Sequence, residues 1–489
     1  MRPTNLSIGR WATRPEKVRP PASLVSGWLG STKAKTQTIF KFTFSAALIL
    51  SAFFALPANA DTFPTKLEGH GGPIRAIAIS EDRNTALTAS FDYAIIIWDL
   101  DNGEATIRHR LFGHDAAVND VSFVPNSDQF VSVSDDGSFA IWDMKTGELL
   151  KRIEDTGDKV LDVTVSPDGT RAAIARWDGT ARLFDLTSQT EVARLEDHRG
   201  PVNAVDFSPD GSTLYTGAYD GIVRAYDGTT GEFQAPLYNF GWGINVLDAL
   251  DSGNSLVFGA LDGTVAKISI NDQSFKEVAK FDRPVLALST SPDGKTIAVG
   301  NGAGYIHLYD AETLTQKREA AGSFGPIWGM AFTDNNDGIY HVGLDDFASW
   351  HDLSSDATFQ PVQSEFPRRF QLSEAQSVGQ LEFQRKCSVC HTLTPDGANR
   401  AGPTLYDVFG RKAGTLPGYD YSQALLDSPI IWNESTIGEL FDKGPDLVVP
   451  GTKMPIQRLK SIERRNELID YLKVATAPAG QQQNEGEQK

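Results

Sequence analysis

A repeat of about 42 residues constrains this chain more than any other feature. An aromatic residue followed by aspartate falls at Trp98, Trp142, Phe184 and Tyr226. The same phase continues, weakened, at Ile268, Tyr309 and His351, giving intervals of 44, 42, 42, 42, 41 and 42 residues. A second marker, Ser-Pro-Asp-Gly, begins at 166, 208 and 291. Short alternating apolar segments run between the markers, as in AVDFSPDGSTLYTGAYDGIVRAYD. Period-two alternation broken by Gly, Asp and Asn predicts short strands joined by tight turns.

Seven such units, with four strands each, resemble the WD-repeat family. The resemblance implies a seven-bladed β-propeller over residues 61–356. It also implies a buried polar tetrad, His114, Ser134, Asp136 and Trp142 in the second blade and His70, Ser90, Asp92 and Trp98 in the first, of which the other blades keep only part. These histidines then tie a loop to a turn and carry no chemistry. The last repeat, ending in FASWHDL, is one strand short, and an open ring would expose unpaired strand edges. The segment TFPTKLEGH at 62–70 looks like other outer strands (RHRLFGH, VARLEDH), so residues 62–68 are expected to close the last blade.

The flanks are different in kind. Residues 1–41 hold eight basic residues and one acid, and FTFSAALILSAFFALPANA follows at 42–60. An apolar run of about 15 residues is short for a membrane span, and it ends in a small-x-small pattern. Residues 1–60 are therefore expected to be a secretory signal peptide, which predicts a periplasmic protein; left uncleaved, the leader would be a membrane anchor. Residues 357–373 read as a linker and 477–489 as a disordered tail. The chain's net charge is −18, and nearly all of the excess acid lies in residues 61–369. Nucleic acid is excluded as an expected partner, because a phosphate backbone demands the opposite field.

The two cysteines lie together in KCSVCH, at Cys387 and Cys390, with His391 directly after. A disulfide framework is excluded by number. A dithiol redox motif, a zinc site and covalent haem attachment remain. The first lacks a βαβ context and the second lacks a further Cys/His pair. C-x-x-C-H is the signal for the third: two thiols add across the haem vinyl groups and the histidine supplies an axial nitrogen.

The segment 374–476 resembles the mitochondrial-type class I cytochromes c through LEFQRKCSVCH, AGPTLYDVFGRKAG, IIWNESTIGELF, PGTKM and RRNELIDYLKVAT. The expected fold class is therefore multidomain, an all-β propeller followed by a small all-α cytochrome c domain. The resemblance implies one covalent haem c per chain, held through Cys387 and Cys390, with His391 and Met454 as axial ligands of the iron. It implies that the Pro403 carbonyl accepts the His391 N–H. It further implies that Arg411, Tyr421 and Trp432 face the haem propionates, that Thr452 lies near them, and that Gly379 meets Tyr471 where the first and last helices cross. Leu425 and Leu440 depart from the family's usual asparagine and tyrosine.

These readings predict an exported one-electron carrier whose propeller docks a redox partner protein. A basic haem edge (Arg385, Lys386, Lys412, Lys453) is expected to meet the acidic propeller. The alternative is a periplasmic oxidoreductase with an active site or second cofactor in the propeller, served by the haem. A non-enzymatic carrier is the favoured expectation.

Overall fold

The computed structural model describes residues 63–354, 361 and 377–478, except 155–157, 251–252, 334–337, 389, 396–401, 420, 451, 453, 455–456 and the side chain of Arg385. The expected leader, most of the expected linker and most of the expected tail lie outside these residues.

Seven four-stranded antiparallel sheets follow one another along the chain. Blade 1 is representative, with strands Ile74–Ile79, Thr85–Ser90, Ala94–Asp101 and Glu104–Phe112 from the axis outward. Its second strand is buried along its whole length and its third nearly so, whereas its outermost strand is mostly exposed. Strands covered on both faces read as continuous apolar runs, which is why AIIIW is unbroken. Neighbouring blades share cores. Leu87, Ala89, Ile95 and Ile97 of blade 1 pack with Val118, Val121, Phe130 and Trp142 of blade 2.

The ring closes as the sequence suggested. Lys66–Glu68 pairs with Phe347–Asp352 in register Leu67↔Ala348, completing blade 7. The Tyr340 hydroxyl donates to the Pro64 carbonyl at 2.7 Å, and the Phe63 ring stacks on Trp350 at 5.9 Å. Joining the two ends of the repeat array in one blade removes a free edge.

Around the axis, side chains of the inner strands hold blades 2 to 6 each to the next. The Asn119, Asn203 and Asn245 amides donate to the Val160, Ile244 and Val285 carbonyls at 2.7, 2.8 and 2.9 Å. The Asp120, Asp162 and Asp206 carboxyls accept the Val163, Val205 and Ala249 N–H groups at 3.1, 2.9 and 2.8 Å.

The tetrads differ from expectation in one member. His114 and the Trp142 indole both bond the Ser132 hydroxyl, at 2.7 and 2.8 Å, not Ser134. In blade 1, Thr88 takes this place, 2.7 Å from His70 and 2.9 Å from Trp98. Ser134 and Ser90 instead accept the Asp136 and Asp92 N–H groups and shape the turn.

Residues 377–478 carry five helices: α1 (Val378–Lys386), α2 (Gln423–Leu426), α3 (Glu434–Lys443), α4 (Pro445–Val448) and α5 (Ile462–Ala475). Ser377 caps α1 by accepting the Gln380 N–H at 3.1 Å, and Asn433 and Thr436 form a reciprocal capping box on α3. α1 crosses α5 at Gly379, where an added Cβ would lie 2.7 Å from the Tyr471 Cβ and closer still to the Glu467 carbonyl. Only glycine allows that approach, and the Phe383 and Tyr471 rings pack beside it at 5.8 Å. Among the described residues, no helix is long and apolar enough to cross a membrane.

Candidate cofactor site

α1 ends at its Cys387 C-cap, and the chain then turns tightly. The Cys390 and His391 N–H groups both donate to the Cys387 carbonyl, at 3.0 and 2.8 Å. This turn brings Cys387, Cys390 and His391 to one wall of a cleft of about 1170 Å³, part of it open to solvent. Leu405, Val408, Ile437, Leu440, Phe441 and Leu472 contribute to an apolar lining.

His391 is held by two neighbours in sequence. Its Nδ1 lies 2.7 Å from the Pro403 carbonyl oxygen, which can only accept, so Nδ1 carries the proton. Nε2 is then the nitrogen with a lone pair. Gly402 lies against the ring: an added Cβ would be 2.7 Å from Nδ1 and 2.8 Å from Nε2. The Gly402 N–H donates back to the Cys390 carbonyl at 2.7 Å, so the Cys-His turn and the Gly-Pro turn brace each other.

Met454 lines the same cleft. Its backbone N–H donates to the Thr452 hydroxyl at 3.2 Å. Arg411 enters from a further wall, its guanidinium donating to the Tyr406 and Thr404 carbonyls at 3.0 and 2.8 Å. Burial lowers the Arg411 pKa from an ordinary value so high that the group stays charged. Trp432 is tied to it through the backbone, its N–H donating to the Arg411 carbonyl at 2.9 Å. The Tyr421 hydroxyl stays protonated, since burial raises its pKa.

All nine residues singled out from the sequence (Cys387, Cys390, His391, Pro403, Arg411, Tyr421, Trp432, Thr452 and Met454) line this one cleft. So do Leu425 and Leu440, the two apolar departures. Of the basic rim, Lys412 is exposed and Lys386 partly so; Lys453 and the Arg385 side chain lie outside the described residues. The further apolar lining residues, such as Leu405, Val408, Ile437 and Phe441, were not singled out from the sequence, and neither was Tyr93, which comes from blade 1; its only sequence signal is that it stands where five sister repeats have glycine.

The chemistry of the donor set discriminates among the three readings of the cysteines. Burial pushes the Cys387 thiol up to about 12, the opposite of the lowered value that a redox C-x-x-C needs. Among the described residues, no group of three or more His, Cys, Asp or Glu side chains is placed to hold a metal ion, whereas a structural zinc site takes four ligands. A haem fits what is present: two unbridged cysteines, an oriented imidazole, a thioether sulfur, apolar walls and a fixed guanidinium.

Comparison with known proteins points the same way. The family model WD domain, G-beta repeat matches residues 62–99, 105–143, 147–185 and 189–227. Cytochrome c of Gibberella zeae is 43% identical over 94 residues, which are 19% of this chain and 88% of that protein. Cytochromes c of Sesamum indicum and Chlamydomonas reinhardtii are 42% and 41% identical over 99 residues, 20% of this chain and 88% of each relative. With identity above 40% over 88% of each of these relatives, this chain belongs to the cytochrome c family.

Proposed function

We propose that the protein is an exported c-type cytochrome that carries single electrons through one covalent haem, with its propeller as a protein-docking module. In this reading residues 374–476 form a small all-α cytochrome c domain. Cys387 and Cys390 form the thioethers, and His391 and Met454 bind the iron. Bound there, the haem supplies a one-electron ferric/ferrous couple. The observation that carries the reading is the Nδ1–H bond from His391 to Pro403, packed under Gly402, in the cleft that Met454 also lines.

The chain's own residues do the rest. The Pro403 carbonyl orients the imidazole and raises its basicity toward iron. His391 and Met454 would hold the iron between them and leave no open place on it for oxygen or substrate, and the Met454 thioether would favour the ferrous state. Arg411, Tyr421 and Trp432 offer charge and donors to buried propionates, which would be costly to bury uncompensated. Leu425 and Leu440 make the methionine side of the cleft more apolar than in the family's usual pattern.

The propeller's acidity suits a protein partner or the basic haem edge, and not nucleic acid. The alternative, an active site in the propeller channel, is less supported. The axial cavity of about 760 Å³, part of it open to solvent, is lined by Asn119, Asn203, Asn245, Asp120 and Asp162, and these polar groups already bond one blade to the next.

An absorption spectrum of the purified protein, with haem-to-chain stoichiometry and carbon monoxide addition, tests the proposal. One c-type haem indifferent to carbon monoxide in the wild type, and reactive in Met454→Ala, is the expected result. A second cofactor, or a wild-type ferrous haem that binds carbon monoxide, would favour the channel enzyme.

A further inference from the structure

Blade 1 departs from blades 2 to 6 at the turn between its second and third strands. Six blades close the hairpin between their second and third strands in the same way. The N–H of residue 93, 137, 179, 221, 263 or 304 donates to the carbonyl three residues earlier, at 3.0–3.4 Å. In five of these turns the donor is glycine in the left-handed region: Gly137, Gly179, Gly221, Gly263 and Gly304, with φ of +83°, +85°, +78°, +87° and +89°. In blade 1 it is Tyr93, at φ +69°. A bulky residue there is a conformational outlier. Strain of this kind persists where something else holds the residue, and it concentrates at functional sites.

The Tyr93 side chain shows where that hold lies. It lines the cleft beside Cys390, Cys387, His391 and Pro403, about 300 residues away in sequence. Its hydroxyl is pushed up to about 12 by burial, with Cys390 and then Asp135 of blade 2 adding to the effect. Two residues before it, the Phe91 ring lies 6.0 Å from the Arg75 guanidinium, which is 5.2 Å from the Trp328 ring of blade 7.

We propose that Tyr93 is the propeller's contribution to the haem site: its ring covers the Cys390 side of the cleft, so blade 1 controls the access of water and reagents to that edge of the haem. The inference rests on the haem reading above. It deepens that reading by giving the propeller a direct part in the redox site. A partner using this edge must approach along the face of blades 1 and 2.

Full-length, haem-loaded protein carrying Tyr93→Gly tests this, because glycine is the residue that five sister turns use. Removing the ring is expected to leave the thermal midpoint of the propeller unchanged or raised. It should speed reduction by ascorbate several-fold and lower the midpoint potential as water reaches the haem. Tyr93→Phe keeps the ring and should match the wild type in all three. Should the glycine variant not fold, Tyr93→Asn, whose short polar side chain tolerates this conformation, replaces it. Reagent rate and potential identical to the wild type in the glycine or asparagine variant would overturn the inference, as would Tyr93→Phe behaving like Tyr93→Gly. Haem present with unaltered variants overturns this inference alone. A wild-type protein without covalent haem overturns the functional reading as well.

Discussion

Gly402→Ala is the sharpest probe of the site, because one methyl group is aimed at one ring. The new Cβ would lie 2.7 Å from His391 Nδ1, 2.8 Å from Nε2 and closer still to Cε1. Non-bonded heavy atoms settle near 3.5–4.0 Å, so the imidazole must retreat by roughly 1 Å. The Nδ1–H bond to Pro403 is 2.7 Å long now, and such a retreat carries it beyond useful hydrogen-bond length. Overpacking costs about 1–3 kcal/mol, and the lost bond about 1 kcal/mol more. The native geometry should therefore lose roughly 2–4 kcal/mol, or about 30- to 700-fold in equilibrium at 1.4 kcal/mol per decade. Guanidinium unfolding of the haem-loaded protein, followed by haem absorption, measures the loss. The midpoint potential should also move up, since an imidazole without its carbonyl partner is a poorer donor to ferric iron. A variant within about 0.5 kcal/mol of wild type, the range of neutral surface changes, with an unmoved potential would show that His391 does not depend on Gly402 and Pro403.

Two further predictions concern the pH dependence of the propeller. The His341 and His351 rings stack in blade 7, 4.7 Å apart, at positions where blade 1 has Thr88 and Trp98. Burial, then the charge of the other ring, holds His341 well below its ordinary value; burial, then Arg318, lowers His351 to about 4. An unfolded chain protonates histidine near 6.5, so this stability is full above that pH and is lost as pH falls. For His351 alone the loss by a pH near 4 is about 3 kcal/mol, at about 1.4 kcal/mol per pH unit. Denaturant melts from neutral to mildly acid pH should show this slope, and His351→Trp should flatten it; an unchanged slope would refute the assignment. In the channel the sign reverses. Burial, then the neighbouring Asp120 carboxylate, raises Asp162 well above the ordinary carboxyl range. Its contribution is full below the unfolded value near 4 and is lost as pH rises through the higher folded value. Asp162→Asn keeps an acceptor for the Val205 N–H and removes the buried charge, so it should raise the melting midpoint at neutral pH. A lowered midpoint would mean that the charged form is what joins the blades.

Much of this protein was legible in one dimension. The spacing from Trp98 to His351 gave seven blades, and the resemblance of residues 62–68 to other outer strands gave the closure. The nine cleft residues could be named because the segment 374–476 resembles the class I cytochromes c motif by motif; of them, Cys387, Cys390 and His391 are also marked by their own C-x-x-C-H spacing. Other features were not legible. Ser132 and Ser134 lie two residues apart, so strand alternation turns them to the same face, and only the reach of His114 and Trp142 selects Ser132. His341 and His351 are ordinary strand residues until the pairing Ile339↔His351 and His341↔Ser349 makes them diagonal neighbours. By itself, the sequence determined the elements, their number and the chemistry carried at fixed short spacing, because backbone dihedrals and side-chain periodicity are local properties. Only the tertiary structure decided that Tyr93 meets Cys390, because a contact across about 300 residues depends on how folded surfaces pack, and no local pattern encodes that.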